Sequence, residues 1–253
     1  MSSLNFSDRV NRVKPSFTLE MTSRAAELRS KGVDVINLSV GEPDFNTPEH
    51  IIQAGKDAMD EGFTKYTAGA GMLELREAIC DKLLRENELN FSPDQVLVSN
   101  GEKQSLYNAC QALFNKGDEV IVFSPYWVSF PEFVRLADAE PVIVSTDPKS
   151  QFEPNFNELQ SKITAQTKGM IINSPSNPTG GVWSNNAISK ILEISQENNL
   201  IVISDECYEK LVFDGKYVST ETLNHYNTEV LTCMSLSKTY AMTGWRIGYA
   251  FGN

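Results

Sequence analysis

A lysine follows an apolar, partly β-branched run in "VLTCMSLSK" (230–238), with Ser235 and Ser237 before it and Arg246 eight residues beyond. Burying an ammonium group is costly and depresses its pKa. An amine shifted in that way becomes nucleophilic enough to form a Schiff base with a carbonyl. The serine hydroxyls and the planar donor fork of Arg246 suit a phosphate group. Taken alone, Lys238 is equally a strand-end lysine turned to solvent.

Four other stretches hold complementary chemistry. "VSNGEKQSL" (98–106) passes from a strand through Gly101 into a helix, whose free N–H groups form an anion site. "LIVISDECYE" (200–209) sets Asp205 after a buried strand, where a carboxylate needs a partner such as a protonated ring nitrogen, and Tyr208 adds a phenol. Asp205 also reads as a helix N-cap. "SPYWV" (124–128) offers Trp127, either for stacking on a flat ring or for ordinary packing. "NSPSNPTG" (173–180) holds Asn177 between two prolines, as a fixed hydrogen-bonding amide or a turn former. Together these supply a Schiff-base lysine, a phosphate cradle, an acid for a ring nitrogen, a stacking aromatic and donors for a ring oxygen. Pyridoxal 5′-phosphate requires that set of contacts.

Such residues must be held by a scaffold. Seven short apolar runs, at 95–100, 119–125, 140–146, 169–175, 200–206, 230–237 and 246–252, alternate with helical stretches. They are nearly continuous in hydrophobicity, as strands covered on both faces are. A three-layer α/β/α fold with a seven-stranded, mostly parallel sheet is expected, its last two strands joined too closely for a crossover helix and so antiparallel. Several strands end in small polar clusters, and the carboxyl ends of parallel strands are where such sheets bind ligands. Before the sheet, "NTPEHIIQAGKDAMDEGF" (46–63) predicts a helix with Thr47 as N-cap and Pro48 at its first position.

The net charge of −11 argues against non-specific binding to nucleic acid. Neither an apolar leader nor an eighteen-residue apolar run occurs, so a cytoplasmic chain without a membrane span is expected. Cys80, Cys110, Cys207 and Cys233 lie far apart, without a paired motif and with only two histidines to join them, so no metal site is expected.

From "KPSFTLEMTSRAAELRSKGVDVINLSVGEPDFNTPEHI" to its last residue, the chain resembles the class I/II aminotransferases of the aspartate aminotransferase superfamily, fold type I. The likeness is strongest at "SPYWVS", "SPSNPTG", "SDECYE" and "SLSKTYAMTGWRIGY", and the subgroup resembled contains the prokaryotic-type aspartate aminotransferases. The resemblance implies that Lys238 holds the cofactor and moves the proton. It implies Asp205 at the ring nitrogen, Asn177 and Tyr208 at the ring hydroxyl, and Trp127 on the ring face. Gly101, Glu102 (through its backbone), Ser235, Ser237 and Arg246 would grip the phosphate, and Tyr66 would reach a partner subunit's phosphate across a homodimer. Gly41 and Lys103 fall where relatives meet substrate carboxylates, and Trp127 and Asn177 also border the substrate. Ser16 and Thr18 are further substrate candidates.

The implied reaction is ping-pong transfer of an amino group from an L-amino acid, aspartate-like by preference, to a 2-oxo acid. The implied organisation is an N-terminal arm and start of a small domain in residues 1–45, then a cofactor-binding large domain in 46–253. Members of the family continue well past "GWRIGY" into the rest of the small domain and an arginine for the substrate α-carboxylate, so this chain reads as a fragment. The alternatives are a carbon–sulfur lyase or aminocyclopropane-carboxylate synthase on the same fold, or a non-catalytic fragment.

Overall fold

In the computed structural model, residues 5–15, 17–38 and 40–253 are described; Ser16 lies outside them. The helices among these residues are α1 (Asp8–Arg12), α2 (Phe17–Ser30), α3 (Glu49–Asp60), α4 (Leu73–Asn87), α5 (Glu102–Leu113), α6 (Phe130–Leu136), α7 (Phe156–Lys162), α8 (Asn185–Glu197) and α9 (Leu236–Thr239). The strands are β1 (Val96–Ser99), β2 (Glu119–Ser124), β3 (Glu140–Asp147), β4 (Glu153–Pro154), β5 (Thr167–Asn173), β6 (Ile201–Asp205), β7 (Val230–Ser235) and β8 (Gly248–Gly252).

One sheet contains them all, in the order β1-β8-β7-β6-β5-β2-β3-β4. Each of the seven expected strands is present, and the sheet has eight because the two-residue β4 adds to the β3 edge. Pairing is parallel from β3 through β2, β5 and β6 to β7. Three pairings are antiparallel where one is expected, because β8 runs against both of its neighbours, β7 and β1, and β4 runs against β3.

The unbroken hydrophobicity of the strands has a direct cause. Side chains alternate between faces along a strand, and here both faces are covered. Val120 and Val122 pack with Leu106 and Cys110 of α5 and Phe133 and Val134 of α6. Ile121 and Phe123, from the same strand, pack on the other face with Ile188, Ile191 and Leu192 of α8. A third cluster seats Ile79 and Leu83 of α4 on Val96, Tyr249 and Phe251. Completely burying each such side chain contributes roughly 1.5–3 kcal/mol, so the sheet's centre is the rigid part on which a site can stand.

Helix α3 begins one residue later than expected, with Pro48 rather than Thr47 at the N-cap. Thr47 does not cap the helix. Its hydroxyl donates to the Ala241 carbonyl and accepts from Trp245 Nε1 at 3.1 Å, fastening the start of α3 to the turn after α9. Among the described residues no helix is long and apolar enough to cross a membrane.

Candidate active site

Parallel pairing puts Asn173, Asp205 and Cys233 side by side at the carboxyl ends of β5, β6 and β7. The chain then turns from β7 into α9, and the N-terminus of α5 arrives beside the same edge. These are the elements that carry the predicted residues.

Asp205 is buried, 5% exposed. Asn173 Nδ2 donates to its Oδ1 and to its carbonyl, both at 3.1 Å, and the Cys207 N–H donates to Oδ1 at 3.2 Å. Burial pushes its carboxyl up to about 6. The same Asn173 presents its side-chain oxygen to the Asn177 N–H at 2.8 Å, and Asn177 Nδ2 donates to the Tyr208 hydroxyl at 3.4 Å. Burial raises the Tyr208 phenol above its ordinary range, so it stays a neutral donor. Asn173 thus orients two of the predicted residues at once. Its only signal in the sequence was its place in the polar cluster that ends β5.

Behind Asp205 the backbone is pinned by Glu206. Its carboxylate accepts from Ser204 (2.9 Å), Ser219 (2.8 Å), the Thr220 N–H (2.9 Å) and the Tyr217 hydroxyl. Residues 204–220 are thereby closed on themselves, which fixes the loop that carries Tyr208.

On the α5 side, Gly101 is the N-cap, with φ of +77° and ψ of 155°, backbone angles that side chains other than glycine's tolerate badly. The Arg246 guanidinium lies over it: a Cβ at Gly101 would come within 2.3 Å of Nη2. Gly248 of β8 plays the matching part beneath, where a Cβ would meet the Glu102 nitrogen at 2.2 Å. Arg246 Nη1 donates to the Thr243 carbonyl at 2.9 Å, and the guanidinium is otherwise open to solvent. Ser235 caps α9, accepting from the Ser237 N–H at 3.1 Å, and both serines are buried. Lys238, half-buried on α9, donates from Nζ to the Gly41 carbonyl. So Gly41, distant in sequence, is brought to the lysine.

Trp127 packs edge-on against Phe130 and Phe133, at centroid distances of 5.5 and 5.9 Å, and Lys103 Nζ stands 4.9 Å over its ring. Partial burial, with the Arg246 charge second, lowers the Lys103 pKa. Two cations near enough to act on one another suit an anionic ligand. Tyr66 is fully solvent-exposed, and Thr18 lies on α2 with its carbonyl accepting from Thr22 Oγ1 at 2.9 Å.

The side chain of Glu102 was not foreseen as part of the site. Only its backbone N–H is expected there, yet the carboxyl is buried, 6% exposed, beside that of Asp205. A glutamate in the first turn of a helix ordinarily faces solvent, so the sequence carried no sign of this.

The donor set fits pyridoxal phosphate. A glycine without a Cβ lies under an arginine, two buried hydroxyls and a helix N-terminus flank it, and a buried acid stands where a cationic ring nitrogen would compensate it. A lysine, a buried acid and an open guanidinium over a glycine thus gather at the carboxyl edge of the sheet, an arrangement that suits a carbonyl compound carrying an anionic group.

Comparison with known proteins agrees. The family described as aminotransferase class I and II matches residues 33–253. Aspartate/prephenate aminotransferase of Thermus thermophilus is 45% identical over 246 residues, covering 97% of this chain and 63% of that one. The bifunctional aspartate and glutamate/aspartate-prephenate aminotransferase of Petunia hybrida is 47% identical over 251 residues, covering 98% of this chain and 52% of that one. The structure of Thermus thermophilus aspartate aminotransferase with maleate superposes with a TM-score of 0.95 at 44% identity, covering 99% of this chain and 65% of that one. The chain belongs to the aminotransferase class I and II family, whose members depend on pyridoxal phosphate. It spans less than two thirds of the length of these relatives.

Proposed function

We propose that this chain is the cofactor-binding part of a pyridoxal-phosphate-dependent aminotransferase that moves an amino group from an aspartate-like amino acid to a 2-oxo acid. The observation that carries the proposal is the convergence of Lys238, Asp205 and the Arg246–Gly101 cradle on one sheet edge. Residues 1–45 are assigned to an arm and the start of a small domain, and 46–253 to the large domain.

When bound, pyridoxal phosphate supplies an aldehyde for an amine and a cationic ring that takes up the electron pair left at the amino acid's Cα. Arg246, Ser235, Ser237 and the N–H groups at Gly101 and Glu102 bind its phosphate. Asp205 as an anion keeps the proton on the ring nitrogen. Asn177 and Tyr208 donate to the ring hydroxyl oxygen, and Trp127 covers the ring and excludes water. Lys238 Nζ, held at the Gly41 carbonyl, would supply the amine for that aldehyde and the base, then acid, that moves the substrate Cα proton. Gly41 sits against that amine and borders the substrate.

Lys103 is assigned to a distal substrate carboxylate. Its ammonium is partly desolvated and lies near Arg246, which strengthens its pull on an anion. Relatives bear the names of aspartate and prephenate aminotransferases, and both compounds carry two carboxylates. Tyr66, fully exposed, is assigned to the phosphate of a second subunit in a homodimer. The cytoplasm is the proposed compartment.

The test supplies the chain with pyridoxal phosphate, isotope-labelled aspartate or alanine, and 2-oxoglutarate, and follows labelled oxo acid by mass spectrometry. Amino transfer favouring aspartate is expected. Elimination products in place of an oxo acid would point to a lyase, and cofactor binding without turnover would point to a binding fragment.

A further inference from the structure

A second carboxyl stands behind the one assigned to the ring nitrogen. Glu102 opens α5, where a side chain ordinarily reaches solvent, but it is turned inward because Gly248 lets the helix start settle directly on β8. Its carboxyl lies beside that of Asp205, near enough for each to act on the other's charge. Its Oε1 is buried and has no hydrogen-bond partner among the described residues. A buried carboxyl oxygen left without a donor costs about 1–3 kcal/mol, or more if charged. The contact is satisfied when one acid is neutral and donates to the other, since two carboxylates so placed cannot both ionise.

The donors decide which one is neutral. Asp205 accepts from Asn173 and the Cys207 N–H, which stabilise an anion. The groups near Glu102 are the Asp205 and Glu206 carboxyls, the Cys233 thiol and the Cys207 thiol; none is a cation, and the Cys207 thiol is a weak donor set against the backbone N–H and amide that serve Asp205. Glu102 is therefore the proton holder and Asp205 the anion. Burial and the Asp205 charge raise the Glu102 carboxyl well above its usual range, in the same direction.

We propose that Glu102 is a positioning residue for the ring-nitrogen proton: as a neutral acid it donates to Asp205, weakening Asp205 as a base so that the proton stays on the ring. Burial alone makes Asp205 a better proton acceptor, able to compete with a pyridine nitrogen. One donated hydrogen bond opposes that. It also leaves the pair with a single negative charge, matched to one cationic ring. The inference rests on the assignment of Asp205 to the ring nitrogen.

Two measurements on the 253-residue chain test it. Infrared difference spectra between wild type and Glu102→Gln, without cofactor, should show one neutral-carboxyl band lost at neutral pH. Pyridoxal phosphate labelled with ¹⁵N in the ring then reads the proton directly. Glu102→Leu should shift the protonated-to-neutral ring ratio about tenfold toward neutral, the scale of one hydrogen bond to a charged acceptor. Glu102→Gln, which keeps a donor, should restore it. A missing acid band in wild type, or a ring equally protonated in Glu102→Leu, overturns the role of Glu102. Failure of the cofactor to bind Lys238 in wild type overturns the cofactor assignment as well, and the infrared band then shows whether the acid pair itself survives.

Discussion

Arg246 lays its guanidinium over Gly101 so closely that a β-carbon there would come within 2.3 Å of Nη2. The two residues come from different ends of the chain's chemistry, one opening α5 and one following α9, and they meet only because β8 lies beside β1. In Gly101→Ala the arginine must withdraw and the backbone must leave a φ of +77°. The expected cost is about 1–3 kcal/mol of stability, with cofactor affinity down about tenfold or more through the lost phosphate contact. Urea denaturation and a fluorescence titration with pyridoxal phosphate measure the two effects separately. Unchanged affinity would remove Arg246 from the phosphate site.

Asp205 titrates near 6 in the folded chain against 3.8 for a free carboxyl. The folded state therefore binds more protons than the unfolded state over that window. The share of stability that depends on Asp205 falls as pH rises from about 4 to about 6 and changes no further above that. The contribution is on the order of 3 kcal/mol, read as the difference between wild type and Asp205→Asn in denaturation at successive pH values. Pyridoxal phosphate should abolish the loss, because a cationic ring gives the anion its partner. A difference that grows in favour of wild type as pH rises would contradict the assignment.

Thr47 joins the start of α3 to the turn that precedes Arg246, through Ala241 and Trp245. Thr47→Val keeps the shape and removes both hydrogen bonds, leaving the Ala241 carbonyl and the indole N–H to find water. A loss of about 1–2 kcal/mol is expected, and with it a weaker grip on the cofactor because Arg246 is less well held. Thermal melting with and without cofactor checks both, and a purely local effect would leave the cofactor shift unchanged.

Tyr208→Phe removes the acceptor of the Asn177 amide, a long contact of 3.4 Å. Without cofactor the effect on stability should be small, below about 1 kcal/mol. Cofactor affinity should drop several-fold, and the absorption maximum of the bound cofactor should move, because the ring oxygen loses a donor. An unmoved spectrum would take Tyr208 away from the ring.

Much of this was legible in the sequence because it depended on local pattern. Strands buried on both faces must be apolar at every position, so β2, β5, β6 and β7 announced themselves. The short β4 could not, since two residues carry no period. Lys238, Asp205, Asn177, Gly101 and Arg246 stand in motifs whose spacing reflects the turns that hold them. Asn173 and the Glu102 side chain did not stand out, because their roles come from contacts across strands. A first-turn glutamate looks the same whether it faces water or is folded under by a glycine 146 positions away. Thr47 misled for a similar reason: its hydroxyl had a distant partner better than the local helix.

Lys238 is the residue proposed to carry the cofactor. The chain is mixed with pyridoxal phosphate, reduced with borohydride, digested, and the modified peptide mapped by mass spectrometry. One stoichiometric phosphopyridoxyl group is expected on Lys238, lost in Lys238→Ala and weakened in Gly101→Ala. Modification at Lys103 or on surface lysines alone, with Lys238 untouched, would contradict it.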